Sequence, residues 1–200
     1  MKVIPGGRGR EKCLSRVLFD FTFNGSSDGG IRRLSLIRTP VFPMALAVGA
    51  QAPDFQLKSK NDEGLIDIKL SEALSQGPVV LLFFPLAFAS PCQTEMCTIR
   101  DSLKDYAALN ATVYGISIDN PFAQEAFAQA NNLNFPILSD FNKEVSTAYD
   151  VLYADLLGFK GVAKRSVIVV GQDGRVLYSA SDDDPNVQPD FDAVKAVLAG

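Results

Sequence analysis

VVLLFFPLAFASPCQTEMCTIRDSL, residues Val79 to Leu103, decides how the rest of the chain is read. Val79 to Phe84 is a continuous apolar run, β-branched and aromatic, too short for a core helix and without a polar face, so it predicts a strand buried on both sides. It stops at Pro85. After a short loop, Ser90-Pro91-Cys92-Gln93 has the start signals of a helix: Ser90 suits the N-cap, Pro91 the first helical position, and Gln93 would complete a capping box with Ser90. Cys92 is thereby placed in the first turn of a helix that follows a buried strand, with Cys97 five residues further along.

On the N-terminal side of this unit, Asp54–Lys58 alternates like a strand and Leu65–Lys69 reads as its hairpin partner across the polar turn 60–64, followed by a short helix at Leu70–Leu74. Beyond it, the Cys92 helix runs to about Leu109, and Ala111–Ile118 is a second apolar strand. Asn120-Pro121 caps and opens a helix to Ala130. Pro136–Leu138 reads as a strand, Asn142–Tyr149 as a helix and Arg165–Val170 as a third long strand. Gly171–Gly174 is a hairpin turn into Arg175–Ala180, and Asp190–Leu198 closes the chain as an amphipathic helix. Alternation of this kind predicts an α/β fold, a mixed central sheet with helices on both faces. A right-handed crossover makes the Val79 and Ala111 strands parallel, with the Cys92 helix between them. In such sheets the functional crevice lies beyond the carboxyl ends of the strands, where Cys92 sits.

The 200 residues suit one domain with an appendage, and 47% hydrophobic against 21% charged residues is an ordinary globular composition. Residues 1–43 read differently from the rest. They hold eight Lys/Arg against three Asp/Glu, and glycine and serine interrupt every apolar segment except Leu18–Phe23. No uninterrupted apolar region follows the basic residues, so this is no secretory signal. The expectation is a disordered leader, or an extension upstream of a true start at Met44, with Cys13 incidental to function. Residues 44–200 form the domain proper, and their net charge of -9 argues against nucleic acid as a partner. No run approaches the roughly 18 apolar residues of a membrane span.

The chain has three cysteines, Cys13, Cys92 and Cys97, and no histidine. That excludes Ser-His and Cys-His catalysis and leaves too few ligands for a zinc or iron centre, so neither metal nor cofactor is expected. So few cysteines need no disulfide framework, and a reducing cytoplasm is the expected setting. An apolar stripe at Cys92, Met96, Ile99, Leu103, Tyr106 and Ala107 turns Cys92 toward the protein body and leaves Cys97 nearer the polar face. The helix start favours a thiolate at Cys92, lowering its pKa. Residues five apart in a regular helix have Cα atoms roughly 8.6 Å apart. A disulfide requires less than about 7 Å, so any bond between the two cysteines demands that the first turns unwind.

Phe84-Pro85-Leu86-Ala87-Phe88-Ala89-Ser90-Pro91-Cys92 resembles the Pro-x-x-x-Thr-x-x-Cys loop of peroxiredoxins, the alkyl hydroperoxide reductase and thiol-specific antioxidant family. The likeness runs from about Met44 to the C-terminus and includes Gly49-Ala50-Gln51-Ala52-Pro53-Asp54-Phe55 and Gly161-Val162-Ala163-Lys164-Arg165. It implies a thioredoxin-like fold and a peroxidase acting on hydrogen peroxide or organic hydroperoxides. Cys92 becomes the peroxidatic cysteine, Pro85 its shield, Arg165 the cation that lowers its pKa and binds peroxide, and Glu95 the support of that arginine. Cys97 matches the resolving cysteine of the bacterioferritin-comigratory-protein-like branch. Its disulfide would be reduced by thioredoxin or a similar dithiol protein, and the enzyme would be a monomer or homodimer. One residue departs from the pattern: Ala89 stands where the family has threonine, which predicts slower peroxide reduction, by about 10²-fold.

Two other readings are weighed beside this one. A thioredoxin-like disulfide exchanger would use the same two thiols, although their spacing is not Cys-x-x-Cys. A redox sensor or binding protein on a peroxidase scaffold would explain Ala89.

Overall fold

The computed structural model describes residues 45–200. The leader expected at 1–43, with Cys13 and the strand read at Leu18–Phe23, lies outside the described residues.

Seven strands form one mixed sheet in the order β2-β1-β5-β4-β3-β6-β7. At its centre β3 (Val79–Phe83) runs parallel to β4 (Thr112–Ser117), which is parallel to β5 (Ile137–Ser139). On the other side β6 (Ser166–Val170) pairs antiparallel with β3, and β7 (Val176–Ser181) with β6. The hairpin of β1 (Gln56–Asn61) and β2 (Gly64–Lys69) closes the far edge against β5. Its strands run further than the sequence suggests: Asn61 pairs with Gly64, so the turn shrinks to Asp62-Glu63, and Gly64 takes the left-handed φ of +126°.

Every residue of β3 is buried, and consecutive side chains enter different cores. Val79, Leu81 and Phe83 pack with Leu70 and Leu74 of α1 (Leu70–Leu74) and Val145 of α4 (Glu144–Ala148). Val80, Leu82 and Phe84 pack with α2 (Ser90–Ala108), with Phe127 of α3 (Pro121–Ala130), and with Val194 of α5 (Phe191–Ala199). Helices therefore cover both faces, as the uninterrupted apolar strand requires.

The caps fall as expected for two helices. Asn120 accepts from the Phe122 and Ala123 amides, and Asp190 from those of Asp192 and Ala193. At α4 the helix begins at Glu144, two residues later than the sequence suggests. Lys143 adopts φ of +64°, and the Asp140 carboxylate reaches forward to accept from Val145 and Ser146 at 3.1 and 2.6 Å. For α2 the sequence expectation fails. The N-cap is Ala89, which has no side-chain acceptor, Ser90 is already helical, and the Ser90–Gln93 capping box does not form.

Candidate active site

Strand register explains how residues 73 positions apart meet. Because β6 is antiparallel to β3, with Ser166 opposite Phe83, the start of β6 lies beside the end of β3. Arg165 immediately precedes β6, and the loop to Cys92 immediately follows β3. Cys92, in the first turn of α2, faces the sheet and is 1% exposed. Glu95 lies one turn on, on the same helix face, and is also fully buried.

Arg165 joins the two. Its Nη2 lies 3.4 Å from Cys92 Sγ, its Nη1 bonds the Glu95 carboxylate, and its Nε donates to the Pro185 carbonyl at 2.9 Å. All three nitrogens of the planar fork are engaged, so the guanidinium can neither turn nor withdraw without breaking a bond. Glu95 Oε1 is buried without a partner among the described residues. This leaves the pair tightly matched at one oxygen and unsupported at the other.

The loop before Cys92 is held separately. Pro85 is buried at the end of β3, directly before Leu86, whose backbone hydrogen-bonds Cys92. The Ala87 amide donates to Asp119 Oδ2 at 2.8 Å, and the same oxygen accepts from Ser117 Oγ, so the end of β4 anchors the loop. Phe88 has φ of +65°, a strained conformation for an aromatic residue. It is half exposed, and its ring stands edge-on to Phe127 at 5.3 Å. Asp119 has no role in the sequence reading above. Its position at the carboxyl end of an apolar strand was the one available signal.

Burial dominates the electrostatics. It pushes the Cys92 thiol above its ordinary pKa, against the downward pull of the Leu86 backbone bond and Arg165, while the Glu95 charge pushes the same way as burial. The helix-start expectation of a lowered pKa is thus reversed in the closed site. Glu95 is pushed up to about 7 by burial, against the opposing pull of Arg165. A guanidinium beside a buried sulfur stabilises negative charge that develops on it or on an oxygen bound to it.

Of the residues proposed from sequence, Cys92, Glu95, Arg165 and the Pro85 loop come together. Cys97 does not join them. Both described cysteines are free, and α2 is a continuous helix through both. Cys97 is half-buried against the end of α3, its sulfur 4.0 Å from Asn131 Oδ1. Asn131 is fixed there because its amide nitrogen donates to the Phe127 carbonyl and its own carbonyl accepts from Arg100 Nη1 at 2.7 Å. The helix stripe also differs in detail: Ala107 is exposed, and the charged Glu95 takes a buried place. Among the described residues no His, Cys, Asp and Glu cluster could hold a metal.

The sequence pattern of the AhpC/TSA family matches residues 48–179. The chain is 34% identical over 143 residues to a chloroplastic 2-cysteine peroxiredoxin of Chattonella marina var. antiqua, covering 68% of this chain and 71% of that one. Among solved structures, the peroxidoxin BcpB of Mycobacterium tuberculosis is similar at a TM-score of 0.67 and 33% identity, over 77% of this chain and 97% of that one. The AhpC of the same organism is similar at 0.68 and 27%, over 78% and 92%. With a thioredoxin-like sheet, a buried cysteine at the start of α2 and an arginine beside it, the chain belongs to the AhpC/TSA family, the peroxiredoxins, in their bacterioferritin-comigratory-protein-like branch.

Proposed function

We propose that Cys92 is the peroxidatic cysteine of this thiol-dependent peroxidase and that Cys97 resolves it. The observation that supports this most directly is the 3.4 Å approach of Arg165 Nη2 to Cys92 Sγ, with the arginine held by the buried Glu95. The Cys92 thiolate attacks one oxygen of hydrogen peroxide or a small organic hydroperoxide. The S–O bond forms as the O–O bond breaks, and the departing water or alcohol takes up a proton, leaving Cys92 as a sulfenic acid. Arg165 stabilises the charge passing through that arrangement, Glu95 holds the arginine in place, and Pro85 keeps solvent from the sulfur.

Cys97 then displaces the sulfenic oxygen as water, and a dithiol protein of the thioredoxin type returns the two electrons. The enzyme is proposed to act as a monomer or homodimer in a reducing, cytoplasmic setting, where a close cysteine pair is catalytic rather than structural. Among the described residues no helix is long and apolar enough to cross a membrane. A disulfide exchanger is disfavoured because the two cysteines are not spaced as Cys-x-x-Cys and the chain's relatives are peroxiredoxins.

The test is a single turnover with one equivalent of hydrogen peroxide. Cys92 and Cys97 thiols should be lost together and appear as one intramolecular disulfide by peptide mass spectrometry. Cys97→Ser should stop the reaction at the Cys92 sulfenic acid. Thiols that survive stoichiometric peroxide would sink the assignment.

A further inference from the structure

The segment joining β7 to α5, residues 182–189, is tied to the active site at two points. The Pro185 carbonyl accepts from Arg165 Nε at 2.9 Å, and three residues on, Gln188 Nε2 donates to the Pro91 carbonyl at 3.1 Å. The segment is also fastened from outside the site. Lys164 pairs with Asp183 at 2.6 Å, and the Tyr153 hydroxyl donates to the Asp182 carbonyl. Its interior is held by its own side chains, since Asp182 accepts from the Asp184 amide and Asp184 from that of Asn186. Gln188 is therefore presented from an anchored frame. A cavity of about 150 Å³, lined by Arg165, Tyr178, Val187 and Gln188 among others, lies beneath this frame.

The acceptor of the Gln188 bond is the peptide that joins Pro91 to Cys92, in the uncapped first turn of α2. Ala89 offers no cap and Pro91 has no amide hydrogen, so beside the Arg165 contacts to the Cys92 and Glu95 side chains, the Gln188 bond is a hold on the backbone of this turn from outside the helix. Closing the Cys92–Cys97 disulfide requires this turn to leave its helical geometry, because Cα atoms five residues apart stand roughly 8.6 Å from one another in a helix. Moving the Pro91–Cys92 peptide breaks the Gln188 bond. Attack on peroxide occurs with the turn in place and leaves that bond intact.

We infer that Gln188 is a positioning residue: it holds the Pro91–Cys92 peptide helical and so slows closure of the Cys92–Cys97 bond without entering the peroxide step. This rests on the assignment of the two cysteines above. In the affected step the Cys97 thiolate attacks the Cys92 sulfenic sulfur, S–S forms as S–O breaks, and the oxygen leaves as water with the proton of the former thiol. No outside oxidant or reductant is consumed. A slower closure leaves the sulfenic acid longer in the path of a second peroxide, which would carry it to the sulfinic acid.

The experiment is rapid mixing of the full chain with hydrogen peroxide, resolving second-order sulfenic acid formation from first-order disulfide closure by quenched mass spectrometry. Gln188→Ala removes the donor, and Gln188→Glu keeps the shape but offers only acceptors to a carbonyl. Both should close about two- to five-fold faster than the parent, the effect of one exposed hydrogen bond, with sulfenic acid formation unchanged and less sulfinic acid at excess peroxide. Gln188→Lys restores a donor and should return closure to the parent rate or below it. Closure at the parent rate in both Gln188→Ala and Gln188→Glu, in a parent that forms the disulfide, overturns the role of Gln188 alone. A parent that never forms the disulfide overturns the cysteine assignment and this inference with it.

Discussion

Ala89 is both the N-cap of α2 and the residue three before Cys92. An oxygen at an N-cap accepts from the amide two or three residues on, and with Pro91 lacking that hydrogen the donor left is Cys92 itself. A hydroxyl at 89 would therefore secure the turn and stand beside the reacting sulfur. Ala89→Thr should raise stability to urea by about 0.5–2 kcal/mol and the single-turnover peroxide rate by about 10²-fold. A stability gain without a rate gain would show that the hydroxyl caps and does nothing more. Arg165 is the opposite case, a residue whose removal harms structure and chemistry together. Arg165→Ala leaves Glu95 buried and unpaired, at a cost of about 3–5 kcal/mol, and calorimetry or urea unfolding would measure it. Glu95 also sets a pH dependence. Its folded pKa, raised to about 7, lies above the usual carboxylate value, so the folded state holds the proton more tightly. The stability associated with it is present below the ordinary carboxylate pKa and is lost as pH rises toward and through 7. Urea midpoints should fall across that window in the parent, and Glu95→Gln should flatten the fall.

At the scale of the helix, α2 is secured unevenly. Its middle buries Met96, Ile99 and Tyr106 completely, whereas its first turn lacks a cap. A ladder of hydroxyls also back-bonds along the exposed side: Thr94 to the Ser90 carbonyl, Thr98 to that of Thr94, and Ser102 to that of Thr98. Bonds of this kind compete with the helix's own amides and slightly loosen it. Opening from the N-terminal end should therefore cost far less than global unfolding. Native-state hydrogen exchange should find the amides of Cys92 to Glu95 exchanging well ahead of those from Ile99 to Tyr106. Uniform protection along α2 would contradict a resolving step that unwinds only the first turns.

For the molecule as a whole, the sequence was most readable where one physical cause acted alone. The apolar run of β3 demanded cover on both faces, and the Asn120 and Asp190 caps each needed only a local hydrogen bond. Ser90 misled because its pattern suits an N-cap, yet the helix begins one residue earlier, and Glu95 was hard to place because only Arg165, just before β6, justifies a buried charge. The Asp119 anchor and the Gln188 bond depend on segments brought together by strand order, which no local pattern states. The domain boundary proposed at Met44 rests on a change in composition and periodicity. Every residue of the proposed site lies within 45–200. If the domain begins at Met44, a chain starting there should unfold at the same urea midpoint as the full chain and consume peroxide at the same rate. A drop in the midpoint would mean that residues before Met44 contribute contacts to the fold, and a drop in rate alone would mean that they act on the site.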